Sequence, residues 1–315
     1  MRHFPVLDDN LDLSGKRVLV RADLDIKSPR RGDLRLKALV PTLQKLLEVR
    51  AVPILIGHRG RPDGKEAPEL SLAPVVDIVK ELLEADLEFL ENLRFDPGEE
   101  GNSEEFAKAL AAKGDFFVNE AFAASHREHA SIVSLPKFLP HAAGLRFQKE
   151  VGNLSRLFSP KRPFVVILSG AKEDKLGYLD KLAQMADRVL VAGRLPLFLG
   201  EYTGPKVKKA DLIQDREDIT LKTIEKFKSE IATARTILIS GPLGRFEEEG
   251  HLQGTREVFS AAGKADAFKV AGGGDTEAAI RKLGIGTRFD WISVGGGAML
   301  EFVTKRTLPG IEAVL

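Results

Sequence analysis

The sequence has no cysteine in its 315 residues, which excludes disulfides and thiolate metal sites and fits a reducing compartment. It also has no excess of charge. Lysine and arginine number 47 against 46 acidic residues, so no global positive field recruits nucleic acid or a membrane surface, and any anion site must be local. Long hydrophobic runs are missing too: none comes near the roughly 18 apolar residues of a spanning helix. The opening stretch MRHFPVLDDNLD places acids where a secretory signal requires an apolar core. These absences give the expectation of a soluble cytoplasmic protein acting on small molecules, with neither nucleic acid nor membrane as partner. No repeat of solenoid period is present.

What is present is alternation. Short β-branched runs alternate with helix-period segments along nearly the whole chain, the pattern of βαβ units and parallel sheets. Strands are expected at 17–24, 52–57, 88–90 and 116–119 in the first half, and at 164–169, 188–192, 236–240, 267–271 and 291–295 in the second. Between the first two, Leu36, Leu39, Val40, Leu43, Leu46 and Leu47 repeat at helical spacing, with Pro41 early enough to cost a turn rather than the helix. A single core rarely keeps growing at this length. QKEVGNLSRLF reads as a helix and SPKRP as the breaker after it. The expected fold is therefore α/β, with two parallel-sheet domains, 1–148 and 163–304, joined by a helix or hinge at 149–162. The basic stretch GPKVKKADLIQDRED, 204–218, reads as a surface loop.

In open parallel sheets ligands bind beyond the carboxyl ends of strands, so the residues just after each strand carry the functional signal. In the first half these are RADLD, GHRGRP, ENLRF and FAASHREHAS. They put Asp23, His58, Arg61, Arg94, Arg127 and the histidines at 126 and 129 on one rim. A lone arginine there is an ordinary surface ion-pair partner. Several on one rim suit phosphate and carboxylate, whose oxygens a planar guanidinium binds in pairs. For the histidines a structural role is equally open.

The second half offers LSGAKEDKLG, SGPLGRFEEEG, GGGDTEAAI and GGGAMLEF at the same kind of position. The first reads either as an exposed loop entering a helix with acids in its first turn, or as a strand end presenting Lys172 and Lys175 to phosphate. A glycine run that leaves a strand and opens a helix exposes amides at a positive helix end, a phosphate cradle, although a single GGG is also a close-packed turn. Asp275 beside such a cradle suggests magnesium, which takes one or two protein oxygens along with phosphate and water. No GxxxxGK[ST] loop occurs. Together the halves suggest a small polyanion on one domain, a magnesium nucleotide on the other, and phosphoryl transfer on domain closure, driven by positioning and charge neutralisation.

With RADLD, GHRGRP, ENLRFDPGEE, HREHAS, SGAKEDK, GPLGRFE, AGGGDT and VGGGAML followed by LPGIEAVL in this order, the chain resembles phosphoglycerate kinase from about residue 13 onward. The resemblance implies two Rossmann-like domains closing at a hinge, a monomer, and interconversion of 1,3-bisphosphoglycerate and ADP with 3-phosphoglycerate and ATP in glycolysis, using magnesium. It implies that Asp23, Leu24 and Asp25 hold the glycerate end with His58, Arg59, Gly60 and Arg61, and that Arg94 and Arg127 complete the basic cleft. Arg35 would stabilise the phosphoryl group in flight, with Lys175 and Gly273 also in catalytic positions. On the nucleotide side it implies Lys172 and Lys175 on phosphates, Gly241 and Pro242 in the following loop, Glu247 on the ribose, Gly273, Gly274, Asp275 and Thr276 along the phosphate chain, and Asp275 on magnesium. A last segment, 305–315, would return to the N-terminal domain.

The departures are as specific. Asp25 stands where the family has asparagine, placing a carboxylate near an anionic substrate. One residue is missing between Lys172 and Lys175. VAGRLPLFL, 191–199, replaces a glycine-rich adenine strand, Ser240 replaces an asparagine, and the segment before it is cut short. These changes admit a second reading, a non-catalytic relative that binds phosphoglycerate or nucleotide as a sensor or scaffold. A dinucleotide oxidoreductase is disfavoured because no GxGxxG follows the first strand.

Overall fold

The computed structural model describes residues 4–8, 10–200 and 204–315. They form two compact units, residues 1–152 with 307–315, and residues 153–306.

The first unit is built on strands β1 (Arg17–Arg21), β2 (Val52–Ile56), β3 (Glu88–Phe89), β4 (Phe116–Asn119) and β5 (His141–Ala143). All neighbours pair in parallel, in the order β3-β2-β1-β4-β5. Helices α1 (Leu34–Glu48), α2 (Ala73–Leu83), α3 (Pro97–Glu100), α4 (Glu104–Ala111) and α5 (Leu145–Ser155) fill the connections. Why α1 forms is plain: Asp33 caps it by accepting from the Arg35 amide at 2.8 Å, and Leu36, Leu39, Leu43 and Leu46 bury one face against the sheet. Pro41 lies inside it without ending it. The sheet carries apolar clusters on both faces, one around Val18, Val20, Leu55 and Val118 and the other around Leu19, Ile54, Ile56 and Phe117.

The second unit follows with β6 (Phe164–Leu168), α6 (Leu179–Met185), β7 (Arg188–Val191), β8 (Val207–Lys209), α7 (Leu221–Ala232), β9 (Thr236–Ser240), α8 (Gln253–Lys264), β10 (Phe268–Gly272), α9 (Gly274–Lys282), β11 (Trp291–Ser293) and α10 (Gly296–Lys305). Its sheet is again parallel, ordered β11-β10-β9-β6-β7-β8. In each unit the strand order reverses beside the first strand, at β1/β4 and at β6/β9, the crevice where doubly wound folds bind ligands. Both sheets accord with the α/β fold expected from the sequence.

Two elements correct that expectation. The stretch 204–218 is not only a loop: it supplies edge strand β8 and a bridge from Leu212 to Ile219. Two lysines in β8 blunt that edge. Strand β5 is also additional; HAA carries no strand signal, and its pairing comes from β4 on one side and the Val6–Ala143 bridge on the other.

After α10 the chain returns to the first unit as α11 (Pro309–Glu312). The Gly310 amide donates to Ser125 O at 2.9 Å, and Val314 is fully buried in the cluster with Leu19, Phe117 and Leu135. Truncating Val314 to alanine is expected to lower stability by roughly 2 kcal/mol in urea unfolding. Leu315→Ala, at a position 40% exposed, should be near neutral. Equal effects of the two would contradict this docking.

Candidate active site

In the first unit, parallel pairing brings every strand's carboxyl end to one edge, and the loops leaving that edge carry the charged residues. Asp23 follows β1 and accepts from the Ala123 amide at 2.8 Å. Burial raises its pKa, against the nearby Arg35 charge and that hydrogen bond. Arg35, half-buried at the start of α1, donates Nη1–H to Asp25 O at 2.6 Å. Asp25 in turn accepts from the Gly60 amide through Oδ1 at 2.8 Å, and its Oδ2 lies 3.9 Å from His58 Nε2. The Asp25 carboxylate thus holds the loop after β2. Leu24 is buried beneath that loop; a Cβ on Gly57 would press on it at 2.8 Å.

Arg94 is 2% exposed. Its Nη1 donates to Gly60 O at 2.6 Å and its Nε lies 3.1 Å from Glu100, while its buried Nη2 has no hydrogen-bond partner. Arg127 is half-buried and Arg61 exposed. Arg59 is turned away from the edge. Its guanidinium donates to the carbonyls of Ile26, Lys27, Glu69 and Ser71, clamping two loops.

The histidines report the local charge. Burial, and then Arg21, Arg94 and Arg127, hold His58 well below the usual imidazole range. Burial, followed by Arg94, Arg21 and Arg127, pushes His129 down to about 3. Both are therefore neutral near pH 7, and the positive charge at this edge belongs to arginines. His126 is held differently, its Nδ1 2.9 Å from Ala123 O.

In the second unit Lys175 occupies the β6/β9 reversal. Its Nζ donates to Ser169 O at 2.7 Å and to Ser240 O at 3.3 Å. Burial lowers its pKa, while the charges of Asp275 and Asp174 oppose that shift. Residues 173–178 form a 3₁₀ turn; Lys172 caps it and is exposed, so only Lys175 reaches the strand ends. Gly241 has φ +104°, and a Cβ there would overlap the Ser169 carbonyl oxygen, so this turn requires glycine. Its amide donates to Thr276 Oγ1 at 2.8 Å, and Thr276 donates onward to Gly272 O at 2.9 Å. Helix α9 begins at Gly274, after Gly273 at φ +107°, with Asp275 exposed in its first turn. Ser240 Oγ is buried without a partner.

Beside these groups lies a cavity of about 370 Å³ lined by Gly170, Ala171, Pro242, Glu247 and Asp275 together with Arg194, Arg216, Glu217 and Arg245. The first five fall on or beside the motifs read from the sequence. Arg216 and Glu217 were missed because the stretch carrying them read as loop, and Arg194 because it sits in the segment that departs from the family pattern. In the first unit the missed residues are Arg21, Glu99 and Glu120, all buried. Arg21 opens RADLD but ends an apolar strand pattern, Glu99 lies in ENLRFDPGEE among acids that read as a solvated turn, and Glu120 falls between motifs.

An arginine-lined strand edge in one parallel-sheet unit, and a buried lysine, a glycine turn and a helix-borne acid at the strand edge of the other, define an α/β protein of the phosphoryl-transfer class. The family model for phosphoglycerate kinase matches residues 8–90, 84–217 and 202–306, and the chain belongs to this family. A phosphoglycerate kinase of Thermomicrobium roseum is 36% identical over 97% of this chain and 98% of its own length. One of Rubrobacter xylanophilus is 36% identical over 97% of each. Those alignments extend over 386 and 381 positions, so this chain of 315 residues is the shorter partner. Among solved structures, phosphoglycerate kinase from Coxiella burnetii superposes with a TM-score of 0.81 at 29% identity, covering 99% of each chain. That from Pyrococcus horikoshii gives 0.84 at 27% identity over 98% of each.

Glu120, just past β4, accepts from Thr42 Oγ1 at 2.6 Å and from the amides of Arg146 and Phe147 at 2.9 and 3.1 Å, capping α5. Burial outweighs these donors and raises its pKa from 4.5 to about 7. The folded state therefore holds an extra proton between those values. The group's contribution to stability is whole below about pH 4.5 and falls as pH climbs to about 7, a loss of about 3 kcal/mol. The stability difference between wild type and Glu120→Gln, measured by urea unfolding at pH 5 and pH 8, should shift toward the variant at pH 8. A difference independent of pH would contradict this.

Proposed function

We infer that the chain transfers a phosphoryl group reversibly between 1,3-bisphosphoglycerate with ADP and 3-phosphoglycerate with ATP. The carrying observation is Arg94, whose buried Nη2 has no partner at a strand edge already crowded by Arg21 and Arg127. Such a cluster is relieved by a bound anion, and phosphate and carboxylate fit its forked donors. Arg61, exposed in the loop after β2, adds positive charge to this edge, and Asp23, Leu24 and Asp25 with His58 and Gly60 shape the glycerate end.

In the direction of ATP use, a carboxylate oxygen of 3-phosphoglycerate attacks the terminal phosphorus as the bond to ADP breaks. The nucleophile is already ionised, so the reaction requires no general base, only alignment and neutralisation of spreading negative charge. Arg35, with one guanidinium nitrogen anchored on Asp25 O, is suited to neutralise that charge. Lys175, the amides around Gly241 and Pro242, and the glycine-opened start of α9 at Gly273, Gly274 and Thr276 are suited to hold nucleotide phosphates.

Glu247 lines the same cavity and is suited to a ribose; Lys172 takes a secondary, solvent-facing place. Among the described residues no group of three His, Cys, Asp or Glu is gathered for a metal. A magnesium ion carried by nucleotide phosphates needs only one or two protein oxygens, and Asp275, exposed beside the glycine turn, fits that need. When bound, the ion would neutralise phosphate charge. No helix is long and apolar enough to cross a membrane among the described residues. Soluble, monomeric action on small molecules in the cytoplasm is part of the same reading.

A coupled assay with 3-phosphoglycerate and several magnesium nucleotides should show turnover, abolished by Arg35→Ala. Binding of 3-phosphoglycerate with no turnover for any nucleotide would instead favour a sensor or scaffold, the reading to which the orphaned Ser240 hydroxyl and Asp25 lend support. In the same assay Lys175→Ala should lower kcat by at least about a hundredfold with far-ultraviolet circular dichroism unchanged. Lys172→Ala should cost only a few-fold. Similar losses for both would show that the shortened spacing places the two lysines equivalently.

A further inference from the structure

Arg21 is the last residue of β1 and is fully buried. It is fixed on three sides. Nη1 donates to Ala22 O at 2.7 Å, Nε donates to Ser131 Oγ at 2.8 Å, and the carboxylate of Glu99, also fully buried, lies 3.7 Å from Nη2. Glu99 is tied in turn to the amide and hydroxyl of Ser131 at 2.9 and 2.6 Å. Nη2 also sits 2.8 Å from Nδ1 of His58.

A guanidinium offers only donors and keeps its proton. Nδ1 of His58 must therefore accept, and the single proton of the neutral ring is on Nε2. We propose that Arg21 is a positioning residue that locks His58 as the neutral Nε2–H tautomer, so that the imidazole presents one uncharged donor to the substrate anion. This rests on the activity inferred above.

Protonating Nδ1 would set one N–H against another. The other cations around the ring act in the same sense: Arg94 from the turn after β3 and Arg127 from the loop after β4 oppose a positive charge on His58, while His129, from the same loop, is neutral. The acid facing Nε2 is Asp25, at 3.9 Å, whose carboxylate is already engaged by the Gly60 amide. The substrate's charge is thus matched by arginines, and the donor from His58 is constant through the neutral pH range.

The test uses the full chain carrying ¹⁵N-labelled histidine, read by long-range ¹H–¹⁵N correlation from pH 5.5 to 8, with His58→Gln identifying the ring. The expected result is the Nε2–H pattern at every pH, with and without 3-phosphoglycerate. Arg21→Met should release Nδ1, allow tautomer exchange and titration, and raise KM for 3-phosphoglycerate about tenfold with kcat little changed. That variant leaves Glu99 buried alone, so Arg21→Met combined with Glu99→Gln restores the charge balance and is read in the same way. Arg21→Lys, which keeps a donor, should recover most of the tautomer bias.

An Nδ1–H pattern in the wild type, or an unchanged pattern in a folded Arg21 variant, would overturn the proposal. The tautomer is read without turnover, so the two failures are distinct. An inactive protein with the Nε2–H pattern refutes the kinase reading alone, and an active one with the Nδ1–H pattern refutes the role of Arg21 alone.

Discussion

A parallel sheet ends its hydrogen-bond ladder at the carboxyl edge, where the last backbone groups have no strand beyond them, and both units are organised by how those groups are satisfied beside the strand-order reversal. At β6/β9 the carbonyls of Ser169 and Ser240 converge on the ammonium of Lys175. At β1/β4 side chains act in the same way: Asp23 takes the Ala123 amide, and Asn119 takes the Ala121 amide at 3.0 Å. The crevice is thus polar because the topology leaves it polar, and the residues that complete the backbone there are the ones a ligand meets. Fold and site are two aspects of one accounting of hydrogen bonds.

The electrostatics of the two edges differ in kind. In the first unit burial, reinforced by closely packed arginines, holds the neighbouring histidines neutral, so the edge's positive charge is fixed on arginines, with Glu99 and Glu100 set against Arg21 and Arg94. In the second unit the buried lysine is balanced by acids on the flanking turn and on α9, and much of the remaining polarity comes from backbone amides at glycine turns. The first arrangement suits a ligand that brings its own charge. The second suits one whose charge is partly neutralised before it arrives.

Central strands were legible because FVVIL and TILIS, buried along their whole length, read as continuous apolar runs. Strands β5 and β8 were not, because HAA and VKK have no periodicity of their own and exist as strands only through a neighbour's hydrogen bonds. The site divides along the same line. Residues directly after a strand, such as Asp23, His58 and Asp275, were legible from position. Arg21 was not, since a charged residue at the end of an apolar strand has no local sign of its role, and Glu99, within PGEE, resembles any solvated acidic turn. Arg59 shows the reverse case: it lies inside a motif, yet its guanidinium is directed to the carbonyls of its own scaffold.

The return of residues 307–315 to the first unit makes the second unit, in chain order, an insertion within the first. Because a polypeptide is made from its N-terminus, residues 153–306 are complete before the segment bearing Val314 exists. The second unit can close its core around Ile167, Ile237 and Phe259 while the first still has an open place beside Leu19 and Phe117. During synthesis the unit that begins first is therefore the one that finishes last, and the place Val314 fills in that cluster stays open for the time needed to translate a whole neighbouring domain.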